Sequence, residues 1–175
     1  GYLSRPMMMA AHFAAKTKRI RLGTAVVVTP LHNPLILAEE VATADLISQG
    51  RLDVGLGRGY QPYEFARFGM TLDDNRERSE ETADILVKAL TQESFSYNGK
   101  YNSFDETTIL PRPVQKPHPP IWDAAQSSNS ITAAVSKGFS IMTGGAGAPI
   151  ETIIDFRRTF DKAVADHKIA VKPTF

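Results

Sequence analysis

Residues 20–60 constrain the fold more than any other stretch, because a buried strand, a capped helix and a second buried strand follow one another there. Ile20-Arg21-Leu22-Gly23-Thr24-Ala25-Val26-Val27-Val28 is β-branched and almost uninterrupted. Such a run suits a parallel strand covered on both faces rather than a surface strand of alternating polarity. Pro30 ends it. Asn33 offers a capping side chain and Pro34 the first helical position, which predicts a helix over residues 34–48, closed by Gly50. Leu52-Asp53-Val54-Gly55-Leu56 predicts the next strand, and Gly57-Arg58-Gly59-Tyr60 the loop at its carboxyl end. This is a complete βαβ unit, and open α/β folds place their chemistry at the carboxyl ends of parallel strands.

The alternation continues on both sides. Residues 6–16 read as a helix with Met7, Met8, Ala10, Ala11, Phe13 and Ala14 on much of its surface, and Asp73-Asp74-Asn75 supplies cap candidates for a helix over 76–90. Residues 94–120 break the rhythm: Tyr97-Asn98-Gly99-Lys100-Tyr101 predicts a hairpin turn, and Pro111, Pro113, Pro117, Pro119 and Pro120 a loop. Strands are expected over 121–125 and 139–143, helices over 130–137 (stopped at Gly138) and 150–166, with the run Gly144-Gly145-Ala146-Gly147 between the last two elements. The fold class is therefore α/β, with four clear parallel strands and alternating helices. A closed (β/α)8 barrel takes roughly 250 residues. The chain has 175, so it is expected to be one partial domain over 1–175, beginning mid-repeat and lacking strands before residue 1 and units after residue 175.

Composition narrows the function classes. A net charge of +1 with scattered basic residues gives no nucleic-acid surface, and the absence of cysteine excludes a disulfide frame, a thiol nucleophile and thiolate metal sites. No apolar run approaches membrane-spanning length and no signal peptide is visible, so a cytoplasmic location is expected by default.

Several residues could carry chemistry. Gly55-Leu56-Gly57-Arg58-Gly59 tempts a dinucleotide reading, but the third glycine comes one residue early for GxGxxG, and Gln61-Pro62 follows where a helix should start. Arg58 is placed either to bind a phosphate bidentately or to pair with Glu39 or Glu40. On a helical wheel Arg76 falls with Ser79, Ala83, Leu86, Val87 and Leu90, an inward face that calls for a bound anion at the helix start or for a partner such as Glu80 or Asp73. Gln126-Ser127-Ser128-Asn129-Ser130 gathers amides and hydroxyls between a strand and a helix; it could bind phosphate, or cap the helix through Ser128 or Asn129. Asp45, within the apolar stripe of Leu35, Ala38, Val41, Ala42 and Leu46, is expected to pair with Arg51. His12, on an apolar helix, reads as a core or packing histidine, and His32 and His118 lack metal-ligand spacing. Glu64 could face a site or the solvent. No metal site, nucleophile or general base can be assigned.

Arg21-Leu22-Gly23-Thr24-Ala25-Val26, Pro30-Leu31-His32-Asn33-Pro34, Ala38-Glu39-Glu40, Asp45-Leu46-Ile47-Ser48-Gln49-Gly50-Arg51 and Gly55-Leu56-Gly57-Arg58-Gly59-Tyr60 together resemble the bacterial luciferase-like monooxygenases. The resemblance continues through Glu64-Phe65, Asn75-Arg76, Tyr97-Asn98-Gly99-Lys100, Pro111-Arg112-Pro113-Val114-Gln115, Pro119-Pro120-Ile121-Trp122 and Ser127 with Ala133-Ala134. It implies a TIM-barrel flavoenzyme using reduced FMN and O2 on a small organic substrate, with a flavin reductase as the source of reduced flavin. A deazaflavin coenzyme is the alternative within the family, and a non-catalytic or truncated paralogue the alternative outside it. The resemblance further implies that Arg58, Arg76, Gln126, Ser127 and Ser130 hold the flavin phosphate. Ala25-Val26, where the family often has a non-prolyl cis peptide, would lie beside the isoalloxazine, with the Tyr60 backbone and Ala124 nearby. A homodimer is expected of the full-length protein. Two departures stand out: the family's acidic-histidine-histidine run would end before Gly1, and Gln126 stands where luciferase has an acid, with Asp123 unusual for its strand.

Overall fold

The computed structural model describes residues 5–143, 147–167, 169 and 173–175. Its contacts divide the chain into two compact units, Gly1–Pro119 and Pro120–Phe175. In the first, α1 (Pro6–Lys16) buries Met7, Ala10 and Ala14 and leaves Met8, Met9 and Phe13 exposed. Helix α2 (Pro34–Ser48) starts as its sequence predicts, with the Asn33 side chain accepting from the Leu35 and Ile36 amides and Pro34 in the first turn. It ends at Ser48 as predicted, and the left-handed turn that closes it starts at Gln49, φ 55°, and continues through Gly50 at φ 78°.

The apolar run over residues 20–28 is not one strand. It forms β1 (Leu22–Gly23) and β2 (Val27–Val28), each pairing in parallel with β3 (Leu52–Gly57). Thr24 explains the break, because its hydroxyl donates to the Gly55 carbonyl at 3.1 Å and accepts from the Gly55 amide at 2.9 Å. A buried side chain thus satisfies the backbone groups that a continuous ladder would have paired. The Ala25–Val26 peptide in the gap is cis. Around β3 the core is made by Leu37, Val41, Val54, Leu56, Ile85 and Leu86, each worth roughly 1.5–3 kcal/mol when buried.

After β3 come a single-turn helix, α3 (Pro62–Ala66), which the sequence did not announce, and α4 (Asn75–Thr91). The expected hairpin follows as antiparallel β4 (Phe95–Asn98) and β5 (Ser103–Thr107). Its turn is gripped by Glu81 of α4, whose carboxylate accepts from the Lys100, Tyr101 and Asn102 amides and from Asn102 Nδ2. Arg112 then closes the far end of α4 by donating to the Ala89 and Leu90 carbonyls. The proline loop contains cis bonds at Leu110–Pro111 and Lys116–Pro117.

Asp45 is fully buried but does not pair with Arg51. Its carboxylate accepts from the backbone amide of Gln115 at 2.9 Å and from Gln115 Nε2 at 2.8 Å, so the proline loop supplies the donors a buried carboxylate needs. Arg51 points elsewhere, donating to the Ala14, Thr17 and Ile20 carbonyls and closing the end of α1.

In the second unit, β6 (Ile121–Ala124) and β7 (Ser140–Met142) pair in parallel around α5 (Ser128–Ser136), and α6 (Ile150–His167) packs on α5. Helix α5 starts two residues before the predicted position. Ser127 caps it, and Gly138 beyond its end has φ 77°. Most of the run over residues 144–147 lies outside the described residues. No described helix is long and apolar enough to cross a membrane.

Candidate functional site

The loop after β3 owes its shape to two glycines. A Cβ on Gly57 would stand 2.5 Å from Val26 Cγ2, so only glycine lets the strand end lie against the cis-peptide segment. Gly59 has φ 76°, and a Cβ there would stand 2.7 Å from Val28 Cγ1 and 2.8 Å from Phe65. Between them the Arg58 side chain is exposed, and among the described residues it makes no hydrogen bond or ion pair. Neither Glu39 nor Glu40 takes it. A guanidinium on a fixed backbone with all its donors open can receive a phosphate or carboxylate without first breaking an internal pair.

The carbonyls on either side of Arg58 are both held. Thr29 Oγ1 donates to the Gly57 carbonyl at 3.3 Å and lies 2.7 Å from Ser79 Oγ. Because a carbonyl only accepts, the Thr29 proton is committed to Gly57 and Ser79 must be the donor to Thr29. Asn75 Nδ2 donates to the Gly59 carbonyl at 3.0 Å. Sequence reasoning had Asn75 as a cap candidate, had Ser79 only as a neighbour of Arg76 on the wheel, and missed Thr29. The signal was the stripe Asn75, Ser79, Thr82, Leu86, spaced i, i+4, i+7, i+11.

Arg76 does not face inward. The buried stripe of α4 runs through Asn75, one residue earlier, and one residue is about 100° of helix rotation. Arg76 therefore stands on the solvent side with 59% of its side chain exposed, paired with Glu80 at 2.8 Å. That carboxylate, by hydrogen bond and charge, raises the arginine's pKa. Tyr60 is 79% exposed, Ala25 exposed and Val26 partly covered. Glu64 is half-buried and engaged.

In the second unit, Ala124 ends β6 and is half-buried, while Gln126 is exposed and has a partner. Capping of α5 falls to Ser127 rather than Ser128 or Asn129: its hydroxyl accepts from the Ser130 amide at 3.3 Å, and Ser130 Oγ accepts from the Ser127 amide at 3.0 Å. The two hydroxyls thus serve the helix start. What remains open there is the pair of amides that a helix's first residues leave unbonded.

The histidines divide. His12 is exposed with an edge contact to Phe13 at 5.4 Å, which corrects its reading as a core residue. His32 is half-buried, and burial first, then the charge of Arg5, lowers its pKa. No group of three or more acidic or histidine side chains among the described residues could hold a metal.

The profile of the luciferase-like monooxygenase family matches residues 1–174. The chain is 41% identical over 138 residues to the oxygenase component of the flavin-dependent trigonelline monooxygenase of Acinetobacter baylyi, covering 78% of the chain and 38% of that protein. The monooxygenase RslO1 of Streptomyces bottropensis superposes with a TM-score of 0.93 at 34% identity, covering 98% of the chain and 52% of that structure. The oxygenating constituent of 3,6-diketocamphane monooxygenase of Pseudomonas putida, solved with FMN, superposes at 0.82 with 22% identity over 94% of the chain and 49% of its own length, a likeness of fold alone. The chain thus spans about two fifths to one half of the proteins it matches.

Proposed function

The chain belongs to the luciferase-like monooxygenase family, and on that premise we propose that it is part of a flavin-dependent monooxygenase acting with reduced FMN and O2 on a small organic substrate, with Arg58 as a ligand of the FMN phosphate. Its alternating helices and parallel strand pairs correspond to part of the (β/α)8 barrel of that family.

One observation carries the phosphate assignment: Arg58 offers an unpaired, exposed guanidinium from a loop braced on both sides. The donor set fits a dianion, since Arg58 is open and Arg76 lies in the first turn of α4, where the helix dipole favours negative charge. Arg76 would leave or share Glu80 on binding, an exchange that an exposed pair permits at little cost. In this reading the Ala25–Val26 backbone, brought against β3 by Gly57, lies beside the flavin ring with the Tyr60 backbone. Ala124, Gln126 and the α5 start at Ser127 and Ser130 are proposed, on their own evidence, as further flavin contacts through the open amides of that helix start. Bound reduced FMN supplies the electrons that activate O2, while the protein binds, orients and shields it. The oxygenase component from Acinetobacter baylyi supports a separate reductase as partner.

Titrating the chain with FMN and riboflavin tests the assignment. Arg58→Ala is expected to weaken FMN by about tenfold or more, the scale of a charge-assisted bidentate contact, and riboflavin far less; Arg76→Ala should act in the same direction, more weakly. Equal losses for both ligands refute the phosphate role. A deazaflavin coenzyme as a third ligand decides the cofactor: tighter binding than FMN would replace the monooxygenase reading with hydride transfer.

A further inference from the structure

We propose that Asn75 is a positioning residue for anion binding: through the Gly59 carbonyl it sets the backbone from which Arg58 reaches its ligand. The proposal rests on the phosphate role of Arg58. Its own support is geometric. Arg58 lies between two carbonyls, and each is fixed by a side chain from outside the loop, Gly57 by Thr29 and Gly59 by Asn75. Ser79, one helical turn beyond Asn75, backs Thr29. The first two turns of α4 therefore brace both sides of the arginine.

The two braces differ in what would replace them. Gly57 belongs to β3 and keeps its parallel pairing with Val28 if the Thr29 bond is lost. Gly59 lies beyond the strand, at φ 76°, in a conformation no ladder enforces. Asn75 Nδ2 is the side-chain donor that holds it, and the amide must present nitrogen rather than oxygen, because the Gly59 carbonyl can only accept. Releasing this bond frees the Gly59–Tyr60 peptide to rotate and with it the Gly59 backbone that follows Arg58, and a mobile base forfeits the orientation that makes a bidentate contact favourable.

The test joins binding to hydrogen exchange. Asn75→Ala is expected to raise the FMN dissociation constant about fivefold, the scale of one neutral hydrogen bond, with riboflavin unchanged. In an Arg58→Ala background the same substitution should add nothing. Without flavin, amides of residues 57–61 should exchange several-fold faster in Asn75→Ala, while residues 52–56 keep their protection. Asn75→Gln, which retains the donor, should recover part of both effects. Equal weakening of FMN and riboflavin, additivity with Arg58→Ala, or wild-type exchange in the loop each overturns the positioning role. If Arg58→Ala itself leaves the FMN-to-riboflavin ratio at the wild-type value, the phosphate reading falls and this inference with it; if Arg58→Ala behaves as expected and Asn75→Ala does not, only the positioning role falls.

Discussion

Replacing Glu81 with Gln is expected to release the β4–β5 hairpin from α4. Oε1 accepts from the Asn102 amide at 2.6 Å and from Asn102 Nδ2 at 2.8 Å, while Oε2 accepts from the Lys100 amide at 2.9 Å and the Tyr101 amide at 3.2 Å. In glutamine one of these oxygens becomes an NH2, which sets donor against donor whichever way the amide is turned. Two contacts are lost, each on the scale of 1.5–3 kcal/mol for a charged acceptor, and water reaching the turn recovers part of it. The expected loss is about 2–4 kcal/mol, a large share of the roughly 5–15 kcal/mol that holds a domain folded. The assay is urea unfolding together with hydrogen exchange at residues 99–103. Glu77→Gln is the control, since Glu77 is exposed and meets Lys100 at 2.7 Å as a surface pair; it should leave the urea midpoint within error. A Glu81→Gln protein within about 0.5 kcal/mol of wild type, with protected hairpin amides, would refute the reasoning.

Asp45→Ala should destabilise by about 2–5 kcal/mol, because it takes the acceptor from two half-buried Gln115 donors and leaves a cavity at a fully buried position. Its effect should be additive with Arg51→Ala to within about 0.5 kcal/mol, since Arg51 serves the carbonyls of α1 and residue 20 instead; a strongly coupled double-mutant cycle would restore the direct pair. His32 is held below its ordinary pKa, so the unfolded state binds the proton more readily, and stability is full above about pH 6.5 and declines as the pH falls below it. His32→Asn should flatten that part of the urea-midpoint profile between pH 7.5 and 5.5, and an unchanged slope would show that other groups produce it.

The helix and strand order was legible because caps, prolines and apolar periods agree with one another here. Asn33-Pro34 fixed the start of α2, and Gly99 marked the hairpin turn, where an added Cβ would stand 2.5 Å from the Glu81 carboxyl group. What was not legible depends on partners distant in sequence. Thr24 splits a run that reads as one strand by bonding across to Gly55, 31 residues away. Asp45 finds its donors 70 residues on, in a proline loop whose composition says nothing of what it packs against, so the nearer Arg51 looked the better partner. The resemblance placed a cis peptide at Ala25–Val26, which no propensity argument would have done, and the structure has it.

Arg76 carries a sharper lesson. Its inward assignment failed by a single residue, and on a helix that is enough to exchange the core side for the solvent side. The wheel groups Arg76 with Ala83, Leu90 and half-covered Val87 as well as Ser79 and Leu86, but Ala83 and Leu90 lie on the flank of a buried stripe whose middle runs through Thr82, Leu86 and Ala89. Phasing on those brings Asn75 and Ser79 to the loop after β3 and leaves Arg76 beside Glu80. One helix then serves separate tasks on separate faces: Asn75 and Ser79 brace the Arg58 loop, and Glu81 grips the hairpin. Because those faces are distinct, Glu81→Gln should raise exchange at residues 99–103 without raising it at 57–61. Asn75→Ala should do the reverse, a reciprocal pattern that general loosening of α4 could not produce.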